Sequence, residues 1–165
     1  MTKIIDLEII ITNIFFYGGG IGADELFRKW KNKPTRERGT GGYDKHIEMC
    51  KKLKTFCGNM STTFHRAFDE TLEPFDALKS IIDLKFDRIL TSGQKENAEE
   101  GVELIIQLAE KSKNKISIMP GSGIRSSNID LFLKHNNINE IHTSSYSNGK
   151  FSTDELKKII KKITQ

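Results

Sequence analysis

Alternation of apolar runs and polar breaks is the dominant signal of this chain, and from residue 60 onward it becomes regular. Short β-rich runs at 60–65, 86–91, 115–119 and 140–144 each end in small or charged residues, and each is followed by a helical stripe. The stripe after the first run starts near Pro74 and places Phe75, Leu78, Ile81 and Ile82 inward. The second runs from 97 to 111 with Ala98, Val102, Ile105, Ile106 and Ala109 buried. In the third, Ser127 is the expected cap of a helix carrying Ile129, Phe132 and Leu133. In the last, Ser152-Thr-Asp-Glu155 reads as a capping box ahead of Leu156, Ile159, Ile160 and Ile163. Each strand and helix together take roughly 25 to 30 residues, the length of a βαβ crossover, so the strands are expected to be parallel.

Upstream the pattern is looser. Residues 3–16 read as one or two Ile- and Phe-rich strands, Gly18-Gly19-Gly20 as a break, and 23–31 as a short helix with Leu26, Phe27 and Trp30 on one face. Residues 31–43 read as a charged, Gly-rich exposed loop that lacks the strand and Lys-Ser/Thr context of a phosphate loop. Asp44 is then the expected cap of a helix with Ile47, Cys50, Leu53 and Cys57 as its stripe and Phe56 beside it, stopped by Gly58.

In parallel α/β folds ligands bind beyond the C-terminal ends of the strands. The sequence puts His65, Arg66, Asp69, Ser92, Gln94, Gly121, Ser122, Gly123, His142 and Ser144 there. His65 and His142 are candidates for acid, base or ligand chemistry beside Arg66 and Asp69, which can equally pair with each other. Pro120-Gly-Ser-Gly-Ile124 with Ser144, alongside Ser92 and Gln94, is a candidate anion site. The competing reading of its glycines is an ordinary turn.

Length and charge narrow the partners. With 165 residues and 36% hydrophobic content, one domain over 1–165 is expected, with 1–43 divergent and 44–165 built of βα repeats. The net charge of +4 comes from dispersed Lys residues, densest at Lys157, Lys158, Lys161 and Lys162 without interleaved aromatics; that is a solvated helix face and no nucleic-acid surface. Asp6, Glu8 and Asn13 interrupt the apolar run at 4–16, so neither a signal peptide nor a membrane span is expected. Cys50 and Cys57, about 10 Å apart along one helix face, are too distant for a disulfide and fit a reducing cytoplasm. With His46, Met49 and Met60 they form a soft set suited to Cu(I); the alternative is that both cysteines are core hydrophobes.

At Thr63-Phe-His-Arg-Ala-Phe-Asp69, Arg88-Ile-Leu-Thr-Ser-Gly-Gln94, Ile118-Met-Pro-Gly-Ser-Gly-Ile124 and Glu140-Ile-His-Thr-Ser144 the chain resembles the CutC copper-homeostasis family. That resemblance runs from about residue 44 to 145 and implies the second half of a TIM-type (β/α)8 barrel, in a cytoplasmic protein that handles and binds copper. The Glu-Leu-Cys and Arg-Pro-Arg-Gly-Gly type segments of the family's first half are absent from 1–43. Since such a barrel takes about 250 residues, the expected fold class is α/β, a partial or truncated TIM-type barrel with parallel strands. Open strand edges in a partial barrel make a homodimer an expected outcome. The alternatives are an enzyme acting on a small phosphorylated or anionic metabolite, and an inactive truncated remnant.

Overall fold

The computed structural model describes residues 41–147 and 150–164, without the side chains of 41–46, 49, 146 and 147. The expectations placed on residues 1–40 lie outside the described residues. The described residues fall in two compact units, 41–60 in one and 61–164 in the other.

In the first unit a single helix, α1, spans Gly41–Cys57. It begins earlier than the capping pattern suggests, so Asp44 lies within it and residues 41–43 are helical rather than loop. Gly58 ends it in a left-handed conformation at φ +52, the conformation that a glycine adopts without steric cost. Phe56, expected beside the apolar stripe, is 82% exposed.

The second unit is built of βα units. β1 is Thr63–Phe64, a 3₁₀ turn follows at Arg66–Glu70, and then come α2 Pro74–Asp83, β2 Arg88–Thr91, α3 Val102–Ser112 and β3 Ser117–Pro120. The strands pair in the order β1-β2-β3, all parallel, with Thr63 opposite Arg88 and Arg88 opposite Ser117. One face of this sheet packs Ile89 and Ile118 against Leu78 and Ile81 of α2 and Ile105, Leu108 and Ala109 of α3, all buried. Each such aliphatic side chain contributes about 1.5–3 kcal/mol on burial.

The strands are shorter than the apolar runs, for reasons visible at their ends. Asp87 stays outside β2 because its carboxylate accepts from Thr62 N at 2.7 Å and Thr62 Oγ1 at 2.8 Å. Residues 97–101 form a turn rather than helix: Ala98 N donates to Ser122 O at 3.0 Å, and Glu100 N donates to Asn97 Oδ1 at 3.0 Å. Gly93 and Gly101 cross so closely here that a Cβ on Gly93 would sit 2.2 Å from Gly101 O. In α2, Phe75 is 40% exposed instead of inward and lies 5.8 Å from Lys111 Nζ, while Ala77 joins the buried stripe.

Beyond β3 the structure departs from the expected pattern in four places. Ser127 does not cap the next helix: α4 is only Asp130–Leu133, and the turn before it is closed by Asn128, whose Oδ1 accepts from Arg125 N at 2.8 Å. Residues 140–144 do not form a ladder strand. His142 N donates to Pro120 O at 2.9 Å, but the next strands, β4 Tyr146–Ser147 and β5 Lys150–Phe151, pair with each other in an antiparallel hairpin. The last helix, α5 Thr153–Ile163, is capped by Ser152, whose side chain accepts from Glu155 N. The reciprocal half of the box is not made, because the Glu155 carboxylate accepts from Ser126 N at 2.6 Å and Ser126 Oγ at 2.8 Å. Ile160, expected inward, is 41% exposed, whereas Ile159 is buried.

Candidate functional site

The C-terminal ends of β1, β2 and β3 converge on the carboxylate of Asp69. It sits in the 3₁₀ turn after β1, with its side chain only 6% exposed. Arg66 Nε donates to Asp69 Oδ2 at 2.9 Å and Ser92 N donates to the same oxygen at 3.1 Å; Gln94 N donates to Oδ1 at 3.2 Å, and Thr91 Oγ1 also donates to Oδ1. Arg66 reaches on across the strand ends, donating from Nη2 to Ser92 Oγ at 2.8 Å and from Nη1 to Ser122 Oγ at 3.2 Å. Ser92 Oγ has one proton to give and two acceptors within reach, Asp69 Oδ2 and Lys95 O. Five of the sequence-selected residues, Arg66, Asp69, Ser92, Gln94 and Ser122, thus form one network.

Two members of that network hold backbone conformations that favour glycine, Gln94 at φ +60 and Ser122 at φ +84. A side chain there costs about 1 kcal/mol relative to glycine. In both cases the side chain is used: Gln94 Nε2 donates to Thr71 O at 2.6 Å, and Ser122 Oγ accepts from Arg66 and donates to Glu96 O at 3.1 Å.

The remaining candidates are placed differently. His65 Nδ1 accepts from Ala67 N at 2.9 Å and so caps the 3₁₀ turn, which fixes Nε2 as the protonated nitrogen of the neutral ring. His142 is half-buried, and that burial holds its pKa below the ordinary value of 6.5, favouring the neutral imidazole. Gly121 lies beside it: a Cβ on Gly121 would be 2.5 Å from Leu90 Cδ1 and 3.3 Å from His142 Nδ1. Gly123, at φ +74, completes the loop. Ser144 is exposed and makes no hydrogen bond among the described residues, while its neighbours hold the loop through Thr143 Oγ1 donating to Ile124 O at 2.8 Å and Ser145 O accepting from Ser152 N at 3.0 Å.

Three features of the structure carry little signal in the sequence. Thr91 looked like an ordinary strand residue. The 3.1 and 3.2 Å bidentate pair between Arg88 and Glu140 joins the start of β2 to the start of the 140–144 run, 52 positions away, and its only trace in the sequence is a charged residue near the head of each apolar run. The Ser126–Glu155 link was hidden behind a capping signature that it half replaces.

Cys50 and Cys57 lie on α1 in the other unit. Cys57 is buried and its Sγ donates to Leu53 O at 3.4 Å; burial raises the pKa of the Cys50 thiol above its ordinary value. The ligand form, the thiolate, is therefore disfavoured at Cys50. Among the described residues no group of three or more His, Cys, Asp and Glu side chains could hold a metal ion, and no helix is long and apolar enough to cross a membrane.

A family model described as the CutC family matches residues 39–147, a span that contains the whole strand-end network. The chain belongs to the CutC family. A copper homeostasis protein cutC homolog of Mus musculus is 42% identical over 106 residues, 63% of this chain and 39% of the relative. The family protein CutC of Pasteurella multocida is 41% identical over 108 residues, 63% of this chain and 44% of the relative. The match therefore spans about two fifths of the length of these curated CutC relatives. The crystal structure of the Streptococcus agalactiae CutC protein has the same fold, with a TM-score of 0.54 and 26% identity over 58% of this chain and 48% of that one. The βα units seen here are thus the α/β, TIM-type architecture of CutC, present in part.

Proposed function

We propose that this chain serves copper homeostasis in the cytoplasm and carries copper as cargo. The observation that carries the reading is the family match across 39–147, together with the copper homeostasis named for the mouse relative. Cys50 and Cys57 are the softest donors of the described part and the first candidates for Cu(I). Because burial keeps the Cys50 thiol protonated, binding there must release a proton and weaken as pH falls. Titration with a competing Cu(I) chelator tests this. The Cys50→Ser, Cys57→Ser double variant should lose affinity at least 10-fold, and unchanged affinity removes the cysteine pair from the reading.

A second reading is favoured by the clamped guanidinium of Arg66. Its side chain is 44% exposed at the strand ends, next to the Gly121-Ser122-Gly123 loop, an arrangement suited to a small anionic ligand. On this reading the strand-end mouth binds a small metabolite through an anionic group, with His142 close by as a neutral proton acceptor. Replacing Arg66 by Met should abolish binding of inorganic phosphate if the mouth is an anion site.

A further inference from the structure

Two loops at the strand ends carry hydrogen-bonding capacity that the fold leaves unused. One is Gly121-Ser122-Gly123-Ile124 after β3, and the other is Thr143-Ser144 at the close of the 140–144 run. They lie side by side, because Thr143 Oγ1 donates to Ile124 O at 2.8 Å and His142 N donates to Pro120 O at 2.9 Å. The backbone N–H groups of Ser122, Gly123, Thr143 and Ser144 meet no acceptor closer than 3.5 Å among the described residues. Gly123 and Ser144 are exposed and Ser122 and Thr143 half-buried, so the loop pair is open to a ligand from solvent. Backbone donors grouped in this way favour an anion.

The charge around the first loop has the matching sign. Arg66 Nη1 donates to Ser122 Oγ at 3.2 Å and Arg125 Nη1 to Ile124 O at 2.7 Å, which fixes a guanidinium at each end. Of the five N–H groups of Arg66, four have acceptors, and the one left over is on Nη1 beside Ser122. Gly123 also opens onto a cavity of about 450 Å³, whose other walls are Asn97, Glu99, Glu100 and Asn128. Both carboxylates there are oriented by carboxamides: Glu99 Oε2 accepts from Asn128 Nδ2 at 2.9 Å and Glu100 Oε1 from Asn97 Nδ2 at 2.7 Å. Their charge disfavours a second anionic group in the cavity, while their remaining lone pairs accept from hydroxyls.

We propose that the loop pair seats the phosphate of a monoester whose uncharged, hydroxyl-bearing body lies in the Gly123 cavity. The phosphate accepts from the four backbone N–H groups and from the spare N–H of Arg66. Glu99 and Glu100 accept from the hydroxyls of the body and turn away a ligand that carries a second anion. This inference rests on the anion reading of the mouth given above and narrows it from a small anion to a singly phosphorylated polyol.

Three probes test it: inorganic phosphate, glycerol 3-phosphate, and 3-phosphoglycerate, which has a carboxylate at the end where glycerol 3-phosphate has a hydroxymethyl group. Each is titrated into the full chain by calorimetry and followed at the backbone amides by NMR. The Ser122, Gly123, Thr143 and Ser144 amides should shift with phosphate and with glycerol 3-phosphate. Glycerol 3-phosphate should bind at least 5-fold more tightly than either other probe. A Glu99→Gln, Glu100→Gln variant keeps an acceptor for each carboxamide on exposed positions, and in it 3-phosphoglycerate should come within 2-fold of glycerol 3-phosphate. Phosphate binding with shifts confined to Arg66, Ser92 and Gln94 overturns the loop seat and leaves the anion reading intact. Failure of all three probes to bind overturns both. Equal affinity for the three, or a preference unchanged in the variant, overturns the placing of the body in the cavity.

Discussion

Arg66 and Asp69, three residues apart in one 3₁₀ turn, are joined at 2.9 Å, and through them the ends of three parallel strands are tied together. The carboxylate is the anchor of this arrangement, because it accepts from the turn itself, from Thr91, and from the Ser92 and Gln94 backbone.

Asp69→Asn should therefore destabilise the fold by about 3 kcal/mol, since an amide cannot serve all of these donors and leaves at least one unmet in a nearly buried position. Urea unfolding measures the loss. A change below about 0.5 kcal/mol would show that the network forms without holding the loops.

Arg88 and Glu140 make a contrasting case, with side chains 9% and 19% exposed. Glu140→Gln removes the carboxylate charge that faces a buried guanidinium and should cost about 3 kcal/mol, whereas the Arg88→Met, Glu140→Leu double variant should be close to neutral. Thermal or urea unfolding of both variants checks the pattern, and a double variant as unstable as the single one would contradict it.

Acid stability should show two windows. His142 has a folded pKa below its ordinary 6.5, so the unfolded chain takes up its proton first and stability falls as pH drops below about 6.5. The Glu155 pKa is lowered below 4.5, chiefly by the Ser126 backbone hydrogen bond, so its contribution is present above 4.5 and lost as pH falls through the lower folded value. His142→Gln should flatten the upper window and Glu155→Gln the lower one, in denaturation series taken from pH 7 to pH 3. Loss of both slopes in either variant would assign them to a different group.

Gly93 and Gly121 should respond unequally to alanine. At Gly93 the new Cβ meets backbone at 2.2 Å and φ is +71, so Gly93→Ala should cost more than about 3 kcal/mol. At Gly121 it meets the end of the Leu90 side chain, which can move, and a cost of about 1 kcal/mol is expected along with a displaced His142 ring. Stability curves and the His142 NMR signals report the two effects separately.

By itself the sequence determined the order of strands and helices from residue 60 to β3, the parallel βα character, the family, and the strand-end position of Arg66, Asp69, Ser92, Gln94 and Ser122. The family is carried by the four motifs at 63–69, 88–94, 118–124 and 140–144; the rest follows from local periodicity and from the rule that parallel strands end together, both carried by residues near one another in the chain. What only the tertiary structure decided are the long-range polar contacts and the limits of each element. Thr62 with Asp87, Arg88 with Glu140 and Ser126 with Glu155 are 25, 52 and 29 positions apart. No periodicity records which carboxylate a distant donor will meet. Two of these contacts also redraw an element: Asp87 holds back the start of β2, and Glu155 leaves its capping box half made. The run at 140–144 has the composition of a strand, yet ladder formation depends on neighbouring backbone rather than on composition, and only the fold shows that one hydrogen bond to Pro120 is made there.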